Sequence, residues 1–135
     1  MSKTTSIVIC EEDPLLLEVT AFRLELLGYA VTQVSNGEDL VRELADADEK
    51  PDLLILDTAL PDVDGIELVD RLKSDARLFN GPVLLLSTDA DLDTVQRAVS
   101  AGANDYLVVP FDPAVLEQKV ESVLVRSKQL AGDIV

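Results

Sequence analysis

The sequence predicts an α/β fold, a doubly wound five-stranded parallel sheet with five helices. Short β-prone runs alternate five times with longer amphipathic runs along its 135 residues. The β-prone runs are continuously apolar, as in strands covered on both faces. Right-handed crossovers between such strands then place helices on both sides of one sheet.

Each element follows from local chemistry. Ser6–Cys10 (SIVIC) is a short apolar strand, and Asp13-Pro14 supplies an N-cap and a proline at the first helical position. Leu15, Leu16, Val19, Phe22 and Leu26 recur at helical spacing until Gly28 stops the helix. A second strand, Ala30–Val34, ends at Ser35-Asn36-Gly37, and a helix through Leu40, Val41 and Leu44 follows. Leu53–Leu56 is the third strand, with a loop and a helix around Ile66–Leu72 after it. Pro82–Leu86 is the fourth, and its helix carries Leu92, Val95, Val99 and Ala101 up to Gly102. Tyr106–Val109 is the fifth strand. Asp112-Pro113 opens the last helix through Leu116, Val120, Val123 and Leu124. Residues 129–135 show no apolar period and read as a tail or the start of a linker.

The length suits one domain, which buries about two-thirds of the surface its unfolded chain exposes. A single cysteine, Cys10, excludes an internal disulfide and reads as a small core residue. No run approaches the ~20 apolar residues of a membrane span, and the polar start reads as no signal peptide, so a cytoplasmic protein with no membrane contact is expected. Acids outnumber bases 26 to 11, a formal charge of −15, which argues against direct nucleic-acid binding. The absence of histidine removes Ser-His and Cys-His triads and His-based zinc sites. There is no GxxxxGK[ST] loop and no GxGxxG turn.

In an open parallel sheet, ligands bind beyond the carboxyl ends of the strands. The first strand delivers Glu11, Glu12 and Asp13 there, the third Asp57 and Thr58, the fourth Ser87 and Thr88, the fifth Val109. With strands one and three adjacent, Glu11, Glu12 and Asp57 would converge. Like charges so placed repel and raise one another's pKa unless a cation intervenes, and oxygen donors alone favour a hard ion such as Mg2+.

These residues, in this order, resemble the response-regulator receiver domain, the CheY-like module of two-component signalling, over residues 5–126. The most specific stretch is PDLLILDTALPDVDGIEL, residues 51–68, with Asp57, Pro61 and Asp64-Gly65 at the family's motif positions; PVLLLST and AGANDYLVVPF add to it. The resemblance implies a flavodoxin-like strand order 2-1-3-4-5 and a receiver domain over residues 1–128. It implies a signalling module rather than an enzyme, in which Asp57 takes a phosphoryl group from a sensor histidine kinase or phosphotransfer protein. Mg2+ would be held by Glu11, Glu12, Asp57 and the backbone carbonyl of Ala59. Ser87 would contact the phosphoryl group, and Tyr106 would act as the switch that reshapes the fourth helix, fifth strand and fifth helix toward an effector protein or domain. Homodimerisation through that surface lies within the family's repertoire.

Two departures stand out. Both members of the acidic pair are Glu, where the family usually has Asp second. The family's lysine before the strand-five proline is replaced by Val109, in YLVVPF. No basic residue lies at a strand's carboxyl end, and Arg97 on the fourth helix is the nearest substitute. The Val109-Pro110 bond is expected to be cis, as in the family. Two functions therefore stay open: a phosphoaccepting receiver with altered switching, and a phosphorylation-independent pseudo-receiver acting as an interaction module. A haloacid-dehalogenase-type phosphatase would want an acid at position 59, where Ala59 stands, and a flavin site would want more aromatic residues than two Tyr, three Phe and no Trp.

Overall fold

A computed structural model describes residues 3–133, with side chains through residue 128. Ten elements alternate along it. The strands are β1 (Ser6–Cys10), β2 (Ala30–Val34), β3 (Leu53–Asp57), β4 (Val83–Ser87) and β5 (Asp105–Val108). The helices are α1 (Pro14–Leu26), α2 (Gly37–Asp46), α3 (Gly65–Lys73), α4 (Leu92–Ala101) and α5 (Pro113–Asp133). All strands are parallel, in the order β2-β1-β3-β4-β5. The fold class expected from the sequence is the one observed.

Successive strand residues serve opposite faces of the sheet. Ile7, Ile9, Leu53, Ile55, Leu84 and Leu86 join Leu17, Leu24, Leu116 and Val120 in a core beneath α1 and α5. Val8, Cys10, Leu54, Leu56, Val83 and Leu85 join Leu40, Leu44, Val69 and Leu72 in a second core beneath α2, α3 and α4. Every strand residue in β1, β3 and β4 except Ser6 and Asp57 is buried, which explains the unbroken apolar runs. Cys10 is fully buried, and burial pushes its thiol up to about 12.

Strand ends differ slightly from expectation. β5 begins at Asp105, paired with Leu84, and closes at Val108, although the Val109 N–H still donates to the Ser87 carbonyl at 2.7 Å. The Val109-Pro110 bond is cis. α5 runs on to Asp133, five residues beyond Lys128.

The exposed face of α1 is the larger difference. Leu15, Val19, Phe22 and Leu26 are 54–71% exposed, while Leu17, Thr20, Ala21 and Leu24 are buried. The helix is apolar on both sides, so periodicity alone does not choose the buried one. On α4, likewise, only Ala98 is buried and Leu92 and Val99 face solvent. α5 buries Leu116, Val120, Val123 and Leu124 as its pattern requires.

Gly65 fixes how closely α3 approaches the end of β3. A Cβ there would lie 2.2 Å from the Asp57 carbonyl oxygen and 2.7 Å from the Thr58 Cα, both backbone atoms with no freedom to yield. Gly28 differs: its φ of +95° needs glycine, but nothing lies within 4 Å of a Cβ. Gly65→Ala is therefore expected to cost roughly 2–3 kcal/mol, and Gly28→Ala about 1 kcal/mol from φ alone. Urea unfolding midpoints of the two variants check this, and equal losses would contradict the steric account of Gly65.

Candidate functional site

The carboxyl ends of β1 and β3 lie side by side, since Cys10 pairs with Leu56. The residues that follow, Glu11 and Asp57, are therefore brought together as the sequence predicts. Three consecutive acids then take three roles. Glu11 turns inward and is 3% exposed, its N–H donating to the Val34 carbonyl at 3.1 Å. Glu12 is exposed. Asp13 caps α1, its carboxylate accepting the N–H groups of Leu15 and Leu16 at 2.9 and 3.3 Å.

Glu11 is the electrostatic anomaly of the site. Its Oε2 is buried without a hydrogen-bond partner. Its pKa is raised to about 8, first by burial and then by the neighbouring Asp57 carboxyl group and its charge. Asp57 is half-buried, and its Oδ1 accepts the Ala59 N–H at 2.8 Å. Among the described residues, no lysine or arginine lies within 4 Å of Glu11, Glu12 or Asp57.

Val109 is half-buried against the core under α1 and α5. Arg97 does not take over the lysine's place, because its guanidinium faces Asp64 at 3.6 Å.

Among the described residues no three His, Cys, Asp or Glu side chains are grouped to hold a metal ion. Glu12 is exposed, just ahead of α1. Glu11, Asp57 and the Ala59 carbonyl remain as oxygen donors, and the unpartnered Glu11 oxygen is a ligand atom in want of a partner. That set fits Mg2+, which is commonly bound through one or two carboxylates and keeps several waters.

Ser87 ends β4 and is 3% exposed. Its hydroxyl oxygen accepts the Thr58 O–H at 2.9 Å and the Asp89 N–H at 3.0 Å. Tyr106 packs against the core under α2–α4, and its O–H donates to the Asp89 carbonyl at 2.5 Å. Two residues here escaped the sequence reading. Asp89 links Ser87 to Tyr106. Asp62 caps α2 from the β3–α3 loop, accepting Gly37 N–H at 2.8 Å and Glu38 N–H at 2.9 Å, and these two bonds hold its carboxyl below the usual range. Asp-x-Asp spacing in Asp89-Ala90-Asp91 was the available sign of a turn there.

Similarity to known proteins agrees with this geometry. The family model for the response regulator receiver domain matches residues 7–121. The transcriptional regulatory protein CseB of Streptomyces coelicolor is 34% identical over 98% of this chain. The chain spans about half the length of such curated relatives, 54% in this case. The chemotaxis protein CheY1 of Helicobacter pylori is 32% identical over 87% of this chain and 95% of its own length. Among solved structures, the receiver domain of a Pseudomonas aeruginosa sensor histidine kinase superposes with a TM-score of 0.79 at 27% identity. It covers 90% of this chain and 98% of its own, and holds a magnesium ion in its active-site cleft.

The chain belongs to the response-regulator receiver domain family, the CheY-like signalling module of two-component systems. Among the described residues no helix is long and apolar enough to cross a membrane.

Glu11 makes stability depend on pH. Unfolded, it titrates near 4.5; folded, near 8, so between those values the native state holds a proton that the unfolded chain has released. Stability is then fullest below about pH 4.5 as far as this group is concerned, and falls as pH rises toward 8, by at most about 1.4 kcal/mol per pH unit. The chain has no histidine to titrate in the same range. In metal-free buffer the melting temperature should decline from pH 6 to 8. Glu11→Gln should flatten that slope and raise stability at pH 8; an unchanged slope in the variant would refute the assignment.

Proposed function

We propose that Asp57 is the phosphoacceptor. A carboxylate oxygen of Asp57 attacks the phosphorus of a phosphohistidine on a sensor histidine kinase or phosphotransfer protein. The new O–P bond makes an acyl phosphate, and the P–N bond breaks with its electron pair returning to the imidazole. The observation that carries this reading is Asp57 at the open end of β3, half-buried beside the inward-turned Glu11 and unopposed by any cation within 4 Å among the described residues. Phosphoryl transfer needs positioning and charge neutralisation rather than elaborate covalent machinery. Glu11, Asp57 and the Ala59 carbonyl would hold Mg2+, which supplies positive charge against the phosphoryl oxygens when bound.

Ser87 donates to a phosphoryl oxygen, and Tyr106 follows as the switch. Leu92, Val99 and Val108, exposed on α4 and β5, support an effector protein or domain as the reader of that surface. The α1 ridge, whose helix starts immediately after the site acids, offers the phosphodonor a second apolar surface. The cytoplasm is the compartment where such partners meet, and the charge of −15 argues against direct nucleic-acid contact.

A second reading, the phosphorylation-independent pseudo-receiver, draws on Val109, packed into the core where the family places a lysine. Incubation with acetyl phosphate and Mg2+ separates the two. The first reading expects a phosphate-sized mass increase that Asp57→Ala abolishes. No adduct at any Mg2+ concentration would leave the interaction module standing.

A further inference from the structure

Between Asp57 and α3 the chain makes a short turn, and that turn is held by a helix it does not belong to. Ala59 and Asp64 face each other in an antiparallel bridge, so residues 60–63 form the tip of a small loop. At the tip, both carboxylate oxygens of Asp62 accept N–H groups from the first turn of α2, Gly37 at 2.8 Å and Glu38 at 2.9 Å. The next N–H of that turn, on Asp39, goes to the Asn36 side chain at 2.8 Å. α2 thus has its own cap, and Asp62 supplies a second, charged one from across the cleft. Val63 sits beside it: a Cβ on Gly37 would lie 2.5 Å from the Val63 Cγ1. Gly37 has no positive φ, so a side chain there would disturb the close approach and not the backbone.

The connection from this contact to the acidic cleft is stiff. Leu60 and Pro61 alone separate Ala59 from Asp62. Proline fixes its own φ and confines the residue before it to extended conformations. At the other end, the Ala59 N–H is held by the Asp57 carboxylate at 2.8 Å. The Ala59–Leu60 peptide, whose carbonyl is the backbone donor of the site, is therefore fixed between two anchored carboxylates.

We propose that Asp62 is a positioning residue: by binding the first turn of α2 it seats the β3–α3 loop and fixes the direction of the Ala59 carbonyl. The inference rests on the reading of Glu11, Asp57 and the Ala59 carbonyl as the Mg2+ donors. Mg2+ demands near-ideal octahedral geometry, so a displaced carbonyl costs affinity. α2, none of whose side chains is a donor in that set, thereby becomes part of the frame that holds it.

Triple-resonance NMR reads the Ala59 carbonyl carbon and the Leu60 N–H directly, first without metal and then through a Mg2+ titration. Asp62→Ala should move both signals in the metal-free protein and weaken Mg2+ binding about tenfold, the lower end of what losing an outer-shell partner costs. Removing an acid also weakens cation binding by charge alone. Gly37→Ala is therefore the second variant, since it keeps every acid and pushes Val63 off α2. It should shift the same two signals and weaken Mg2+ binding, and Val63→Ala in that background should restore both. Unmoved Ala59 and Leu60 signals in Asp62→Ala overturn the proposal. So does weaker Mg2+ binding confined to Asp62→Ala, with Gly37→Ala matching wild type, which is the signature of charge. If wild type takes up no Mg2+ while the two signals move in both variants, the loop tether stands and the metal reading falls. If wild type binds Mg2+ and Asp62→Ala binds it as tightly, the positioning role falls alone.

Discussion

Two carboxyl groups at the ends of adjacent strands, with no lysine or arginine within 4 Å among the described residues, set the terms for the rest of this structure. Parallel pairing of β1 with β3 places Glu11 and Asp57 next to each other however the side chains adjust. One of the two must then shed its charge or find a counter-ion, because burial makes the repulsion expensive. Glu11 is the more enclosed and its pKa is the one that burial raises, while Asp57 stays partly open to solvent.

The surrounding loops are organised by the same chemistry of acids and backbone N–H groups. Four helices begin at this edge with an aspartate accepting N–H groups of the first turn: Asp13 on α1, Asp64 on α3, Asp91 on α4 and Asp112 on α5. α2 begins with Asn36 and receives Asp62 from across the site. Helix N-termini carry partial positive charge, so this arrangement places favourable dipoles around an acidic cleft. It also ties the β3–α3 loop to α2 through Asp62, to α3 through Asp64 and to β4 through Thr58. Displacement of the peptide after Asp57 is thereby felt in three elements at once.

How much of this the sequence disclosed depended on range. Asp57 was legible because a charged residue ends an apolar strand, and strand-end position in a parallel sheet fixes where it goes. The α1 and α5 caps were legible from Asp-Pro ahead of a helical pattern, and both are observed. The buried side of α1 was not, since leucines stand on both sides and the choice is made by packing against β1 and β2. Glu12 illustrates another limit: strand-end position puts both Glu11 and Glu12 near Asp57, and it does not say that Glu11 is buried and Glu12 exposed. The Thr58–Ser87 and Asp62–Gly37 bonds join residues 29 and 25 apart, and nothing local marks either pair.

Val109 shows why a fold can lose a site cation without losing its shape. The Val109 N–H completes the β4–β5 ladder through the Ser87 carbonyl, and its side chain adds to the apolar cluster that includes Phe111. Both contacts serve stability, and neither needs an ammonium group. The valine brings no charge to the cleft, where burial and the neighbouring Asp57 raise the Glu11 pKa to about 8. A fixed cation would favour both carboxylates ionised, whereas a proton bound near neutral pH is released as the solution becomes basic or as a divalent cation takes its place. The ionisation of Glu11 is thus sensitive to solution conditions around its raised pKa.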